Sequence, residues 1–300
     1  MSKKQYIKRH IIIINKLRKN PSSFEEIRTH LQRHSEIDEE NYEVSIRTFQ
    51  RDVKEIASIY NIIIECNQSQ NVYEITHDAN EDRNERLIES FEIFNAINLS
   101  SSLQNHIIVE KRKPIGTEHM YGLLHAIKNN LEIKFTYERY WVEEENKMAR
   151  TVKPLALKEA RYRWYLVAFD LKDNEIKTFG LDRISNLDIT QKKFVLAEKY
   201  DLEEVFRYSF GIITDMHKPQ KIVLSFSFGQ GKYIKSLPLH HSQKEIINSE
   251  NEYRIELLLY PTYDFLMELL SIGSEVKVLQ PESLQIEIKN RLSETLKLYE

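Results

Sequence analysis

The stretch Arg161-Tyr162-Arg163-Trp164-Tyr165-Leu166-Val167-Ala168-Phe169-Asp170 decides how the rest of the chain is read. Aromatic and branched residues dominate it, and it runs into the turn-forming Lys172-Asp173-Asn174, so it predicts a β-strand. Side chains alternate across a strand. Arg163, Tyr165, Val167 and Phe169 therefore point one way, and Trp164, Leu166 and Ala168 the other. One face is purely apolar, while the other sets an arginine and a phenol among apolar neighbours. Lys177-Thr178-Phe179-Gly180-Leu181-Asp182-Arg183-Ile184 predicts a second strand, closing a hairpin across residues 172–175 and placing Phe179, Leu181 and Arg183 on one face. On spacing alone, surface arginines at strand ends are the favoured reading. The sharper reading is a pocket wall that holds an anion, because guanidinium is the usual partner of phosphate.

Working outward, Ile133-Lys134-Phe135-Thr136-Tyr137 alternates cleanly, with Ile133, Phe135 and Tyr137 on an inner face. Residues 152–157 predict another strand, in which Pro154 requires an edge or a bulge. Residues 184–195 predict a fifth. Beyond a short helix at 201–208, the order is β-α-β-β-α-β: 221–228, 231–236, 243–248, 253–260, 264–271 and 275–279. A last helix at 283–298 carries Leu284, Ile288, Leu292 and Leu296. That order predicts a ferredoxin-like α/β sandwich.

At the other end, Ile7, Ile11, Ile14 and Leu17 recur at helical spacing until Asn20-Pro21. Ser22 and Ser23, with Glu25 and Glu26 three residues on, give a capping box for a second helix that buries Phe24, Ile27 and Leu31. A polar loop is expected from 33 to 44. A third helix starts at Ser45, with Ile46, Phe49, Val53, Ile56 and Tyr60 inward and Arg47, Gln50, Arg51 and Lys54 on another face. Such a stripe is usually only a solvated face. Three short helices in this order, followed by strands at 62–66 and 72–76, favour a helix-turn-helix with a wing. Arg47, Gln50 and Arg51 can then reach base edges, and Thr48 and Lys54 can reach phosphates. Residues 1–20 add Lys3, Lys4, Lys8, Arg9, Lys16, Arg18 and Lys19 with no acid, a local basic patch on a chain of net charge -3. Residues 77–85 have no apolar stripe and are read as a linker. Leu87, Phe91, Phe94 and Ile97 predict a helix that ends or turns irregular at 100–104, and 118–129 predict another.

At this point the residues carry a resemblance. Trp164-Tyr165-Leu166, followed at the right distance by Phe179-Gly180-Leu181-Asp182-Arg183-Ile184, resembles the WYL domain of bacterial transcriptional regulators. The run Ser45-Ile46-Arg47-Thr48-Phe49-Gln50-Arg51-Asp52-Val53 resembles the recognition-helix region of the winged helices in front of such domains. The stretch from Gly273 to Leu284 resembles the C-terminal extension that accompanies them. The resemblance implies a small Sm/SH3-like β-barrel that binds a nucleotide or nucleic acid. It also implies that Arg47, Thr48, Gln50 and Arg51 face DNA, that Asp52 is structural, and that Tyr137 lies in a pocket. The stretch Leu239-His240-His241-Ser242-Gln243 matches a structural or regulatory position. One departure stands out: the family often has an arginine where this chain has Gly180, which leaves Arg163 and Arg183 to carry the anionic pocket.

Enzyme chemistry finds little support. With seven glycines in all, Gly229-Gln230-Gly231 lacks the third glycine and the Lys-Ser or Lys-Thr of a phosphate loop. His240-His241 reads as a surface turn, and His119 and His125, six apart, do not share a helix face as ligands would. Glu143-Glu144-Glu145 reads as a solvated loop, and Cys66, the single cysteine, as an inert thiol. A lone cysteine, no evident leader and an apolar run of only four residues at Ile11 to Ile14 point to the cytoplasm and away from the membrane.

The expectation is therefore an α+β multidomain regulator. Residues 1–78 would form a winged helix-turn-helix, 79–130 a helical linker, 131–200 the ligand-sensing barrel and 201–300 the C-terminal domain. Its partners would be a double-stranded DNA operator, bound through Arg47, Thr48, Gln50, Arg51 and Lys54, and a small nucleotide or nucleic-acid ligand, bound through Tyr137, Arg163, Trp164, Tyr165 and Arg183. A homodimer is expected, with no catalytic residue, metal or cofactor. The alternative is an accessory protein that binds RNA or single strands through the barrel, since aromatics beside arginines suit stacking on unpaired bases.

Overall fold

The computed structural model describes residues 3–97, 108, 116–140, 146–196, 200–214 and 218–300. The chain is mixed α+β and divides into two compact units, Met1–Lys111 and Arg112–Glu300. The helix end expected at 100–104 and the acidic run at 143–145 lie outside the described residues.

In the first unit α1 (Lys3–Lys19), α2 (Phe24–Asp38) and α3 (Ile46–Tyr60) precede a hairpin of β1 (Ile62–Asn67) and β2 (Val72–Asp78), then α4 (Glu81–Ile97). Ile11, Ile12, Ile13 and Ile14 are all buried. Four consecutive residues sweep about 300° of a helix, so α1 is enclosed rather than laid on the core by one face. The capping box forms as expected. The Glu26 N–H donates to the Ser23 hydroxyl at 3.3 Å, and the Ser23 N–H donates to the Glu26 carboxylate at 2.7 Å. The first half of the expected polar loop is helix, because α2 runs on to Asp38 and stops where Glu39 turns left-handed at φ 53°. Gln32, Arg33 and Glu36 are good helix formers without being apolar, so periodicity missed them.

Ser45 caps α3, whose buried residues are Phe49, Asp52, Ile56 and Tyr60. Ile46 belongs to the same stripe but lies in the first turn, ahead of Phe49, and is exposed. The hairpin is antiparallel with a register shift between Ile63 and Ile64, and Ser22 adds a backbone bridge to Tyr73. The expected linker at 77–85 is not one, since only Ala79 and Asn80 separate β2 from α4. Buried Asn84 closes the junction by donating to the Tyr60 carbonyl at 2.8 Å and to Asp78 at 2.7 Å. Ile88 of α4 joins the first core.

The second unit opens with α5 (Met120–Asn129), which buries Leu123 and Ala126 in the core of the following sheet. The helices expected within 79–130 are thus core elements of the units on either side, not linker. The five strands β3 (Leu131–Glu138), β4 (Lys147–Ala160), β5 (Arg163–Asp170), β6 (Glu175–Gly180) and β7 (Ile184–Lys193) are ordered β6-β5-β4-β3-β7. Every pairing is antiparallel. The edge strands β6 and β7 are joined only by a 3-10 turn at Leu181–Arg183. The sheet must therefore curl to bring its edges together, and Leu181 and Arg183 lie in that turn rather than in a strand.

Ile133, Phe135 and Tyr137 face the core with Leu166, Ala168 and Phe179, as the alternation predicts. Pro154 sits in a central strand beside a register shift, where the missing N–H is absorbed. β5 starts two residues later than expected. Arg161 and Tyr162, with φ 47° and 64°, are the central residues of a hairpin turn whose twist matches the flanking strands. Arg161 ion-pairs with Glu268 and lies 5.3 Å over the Phe210 ring, which holds a turn that glycine or asparagine would adopt more easily.

After α6 (Leu202–Phe206) come β8 (Gln220–Phe226), α7 (Phe228–Ser236), β9 (Lys244–Asn248), β10 (Tyr253–Leu259), α8 (Tyr263–Ile272), β11 (Val276–Gln280) and α9 (Glu282–Leu296), in the expected order. The sheet runs β11-β8-β10-β9 and is antiparallel throughout. Ile234, Phe265, Leu266 and Leu269 pack on its apolar face. A Cβ at Gly231 would lie 2.3 Å from that of Tyr253, so only glycine lets α7 press so closely on β10. Of the expected α9 stripe, Leu284 and Ile288 meet the core, whereas Leu292 and Leu296 are exposed. No helix among the described residues is long and apolar enough to cross a membrane.

Candidate functional site

Two surfaces collect the residues singled out above. On α3, Arg47, Gln50, Arg51 and Lys54 are exposed, and Thr48 is half-buried with its hydroxyl 3.1 Å from that of Ser45. Arg47 and Lys54 have no acidic partner among the described residues, and Arg51 lies 3.9 Å from Glu55. The helix is pinned from behind. Arg9 of α1 donates through Nε and Nη2 to the two oxygens of Asp52 at 2.7 and 2.8 Å, and both residues are buried. Burial pushes the Asp52 carboxyl up, but the neighbouring His10 ring and the Arg9 guanidinium outweigh it and hold it below its usual range. The basic patch expected over residues 1–20 is thinner than its sequence. Besides Arg9, Lys8 is tied to Glu92 at 2.6 Å and Arg18 to Asp78 at 2.8 Å, so these charges serve packing.

The second surface gathers at the turn between β6 and β7. The Gly180 N–H donates to the Tyr137 hydroxyl at 3.2 Å. The Arg183 guanidinium lies 4.7 Å from the centre of the Tyr137 ring and 5.2 Å from that of Tyr140. A Cβ at Gly180 would come within 2.7 Å of Asp182 Oδ1, 3.3 Å of Arg183 Nε and 3.7 Å of the Tyr165 ring. The missing side chain is thus the space that Asp182, Arg183 and Tyr165 share. Arg163 is bound to Asp182 at 3.0 Å, so an anion arriving there must compete with a carboxylate. Arg183 has no such competitor among the described residues. Burial raises the Tyr137 hydroxyl against the pull of Arg183. It raises that of Tyr165 against the pull of Arg163. Both phenols are therefore protonated donors at neutral pH.

The family model for the WYL domain matches residues 118–189, and that for the WCX domain matches 218–296. The chain carries a WYL domain followed by a WCX domain. No curated protein matches it. Among solved structures it is similar to proteasome accessory factor B/C (PafBC) of Arthrobacter aurescens, at 18% identity and a TM-score of 0.36, covering 96% of this chain and 46% of that one. It thus spans less than half the length of that relative. It is also similar to a CRISPR Cas-related protein, at 11% identity and a TM-score of 0.39, covering 85% of this chain and 74% of that one.

Within the WYL domain the structure brings together four of the five expected ligand residues, Tyr137, Arg163, Tyr165 and Arg183. Trp164 does not join them. It packs against the core on the opposite face of β5, as strand alternation requires. Sequence reasoning missed Asp182 and Tyr140. Asp182 stood inside the quoted motif as an acid next to the arginine. Tyr140 stood two residues past the end of β3, with no periodic signal to mark it. In the WCX domain His240 is structural: its Nδ1 accepts the Ser242 N–H at 3.2 Å, and burial drives its pKa down to about 4. His119 Nε2 lies 3.1 Å from the Ile184 carbonyl, which occupies it within the WYL domain.

Proposed function

We propose that the protein is a DNA-binding transcriptional regulator whose WYL domain senses a nucleotide or nucleic-acid ligand. In this reading the three helices and hairpin of the first unit are a winged helix-turn-helix with α3 as recognition helix and β1–β2 as wing. The five-stranded sheet is an Sm/SH3-like barrel, and the last four strands and their helices are a ferredoxin-like domain. The observation that carries the reading is the outward face of α3. Arg47, Gln50, Arg51 and Lys54 leave the same side of a helix that the buried Arg9–Asp52 pair fixes from the other. Arginine and glutamine reach guanine and adenine edges bidentately in the major groove, and lysine reaches phosphate.

The ligand site is the Gly180 cluster. Arg183 supplies the free cation, Tyr137 and Tyr165 supply hydroxyl donors, and Tyr140 supplies a ring face. Ligand binding would shift the populations of two arrangements of the chain that differ in operator affinity. A dimer would place two recognition helices about one DNA turn apart. The protein acts in the cytoplasm and without catalysis.

The test is selection of duplexes from a random pool by the full-length protein, repeated with Arg47→Ala. Enrichment of a repeated or palindromic site, lost in the variant while the melting midpoint holds, is the expected result. A second reading takes the barrel itself as the main nucleic-acid contact, and the packing of Arg183 against two tyrosine rings favours it. It predicts retention of single strands in place of any enriched duplex, abolished by Arg183→Ala.

A further inference from the structure

Behind α3 lies a group that the DNA reading leaves unused. His10 of α1 is fully buried, and neither ring nitrogen has a hydrogen-bond partner. Its Nε2 lies 3.7 Å from Asp52 Oδ1 and 3.9 Å from Glu55 Oε2, and Glu55 Oε2 is itself a buried oxygen without a partner. The three ligand atoms all lie within 4.8 Å of one another. Leaving such groups buried and unpaired is costly, so the arrangement calls for something between them.

A proton on Nε2 does not fill the gap: both distances exceed the roughly 2.7–3.2 Å of an N–H···O hydrogen bond, and a single N–H closing on one oxygen would leave the other unpaired. A metal ion can meet all three atoms at once. With ligand bonds of about 2.0–2.2 Å, tetrahedral geometry places the ligand atoms about 3.4 Å apart, within a small side-chain adjustment of what is seen. The charge also fits, because Asp52 and Glu55 outnumber Arg9, the buried cation beside them, and Arg9 still leaves Asp52 Oδ1 a free lone pair.

We propose that His10, Asp52 and Glu55 form a site for a first-row divalent cation of the zinc class, tying α1 to α3. One imidazole and two carboxylates leave a fourth position for water, as in an open site. Arg9 orients Asp52 by donating to both of its oxygens, whereas His10 Nδ1 has no acceptor and packs beside the Tyr6 ring, with centroids 4.2 Å apart. The Glu55 side chain is 35% exposed and offers an entry path, so the site suits an exchangeable ion rather than a permanently held one. One consequence rests on the DNA reading above. Glu55 Oε1 is also the partner of Arg51 at 3.9 Å, so ion binding would draw that carboxylate away and release Arg51 towards phosphate.

The experiment uses the full chain, stripped with a chelator and without an affinity tag, titrated with Zn2+ by calorimetry and with Co2+ by visible absorption, with no DNA present. One equivalent of Zn2+ and a tetrahedral Co2+ spectrum are expected, together with a higher melting midpoint. Glu55→Gln, at a partly exposed position that leaves the apo fold intact, should weaken Zn2+ binding by more than about tenfold, the loss seen even when a residue that only hydrogen-bonds a ligand is changed. The surface pair His30 and His34, with rings 4.7 Å apart, is the competing site, so His30→Ala/His34→Ala should leave binding unchanged. Absence of binding, binding that survives Glu55→Gln, or binding that disappears with His30 and His34 would each overturn the proposal. Repeating the duplex titration with and without Zn2+ tests the Arg51 consequence separately, so its failure leaves the metal result standing.

Discussion

On α3, Arg47 and Lys54 extend into solvent with no acid beside them among the described residues. In the WYL domain Arg163 is tied to Asp182, and Arg183 is packed against Tyr137 and Tyr140. The same residue type is presented in two ways. Free side chains on a rigid helix suit a long polyanion, where affinity comes from many contacts and falls with salt. Cations already held by rings and a carboxylate suit a small ligand whose shape must match what is preset, since less entropy is lost on binding. The support beneath the two surfaces differs as well. The α3 face rests on a fully buried ion pair, while the ion pair of the WYL cluster is half in solvent.

The largest expected effect separates the two supports. Asp52→Ala leaves the Arg9 guanidinium buried without that carboxylate and should cost about 3–5 kcal/mol of stability, measured from the urea midpoint. Arg163→Ala removes an exposed pair and should change stability by less than about 1 kcal/mol. Equal losses would erase the distinction. Next comes Arg47→Ala, expected to cost about 1–3 kcal/mol of duplex affinity and to relax the base preference at one position. Arg183→Ala should leave duplex affinity alone and abolish the ligand response. A variant that still responded would move the ligand away from Gly180.

The WCX domain gives a pH test. His240 is held neutral by burial, with a folded pKa of about 4 against an ordinary value of 6.5. The unfolded chain therefore binds a proton that the folded one refuses, and stability falls as pH drops from 6.5 towards 4. The difference between wild type and His240→Gln across that window should show this one-proton slope and vanish above it. The smallest effect is that of Lys54→Ala. It should weaken binding to all duplexes alike and reduce the salt slope by about 1.

What could be read from the sequence was local. The Ser23–Glu26 box, the start of α3 at Ser45, the Pro154 bulge and the six elements from β8 to β11 depend on residues a few positions apart, and each lies close to where its spacing placed it. The errors also have local causes. Arg161 and Tyr162 look like strand residues but adopt left-handed backbone, which the contacts of Arg161 with Glu268 and Phe210, both distant in sequence, support. Lys8, Arg9 and Arg18 look like a basic patch, yet tertiary structure pairs them with Glu92, Asp52 and Asp78. The candidate sites were legible only in part. Arginines can be counted, but whether a carboxylate meets them cannot. His10, Asp52 and Glu55 carry no signal at all, because the ligand spacing spans two helices joined only by the fold.

The most direct test of the account is the affinity of the full-length protein for its selected duplex, measured beside Arg47→Ala and Arg183→Ala with and without the ligand. The account predicts that Arg47→Ala loses the duplex and that Arg183→Ala binds it normally but no longer responds. A duplex bound equally well by Arg47→Ala and lost in Arg183→Ala would contradict it and move the nucleic-acid contact from α3 to the barrel.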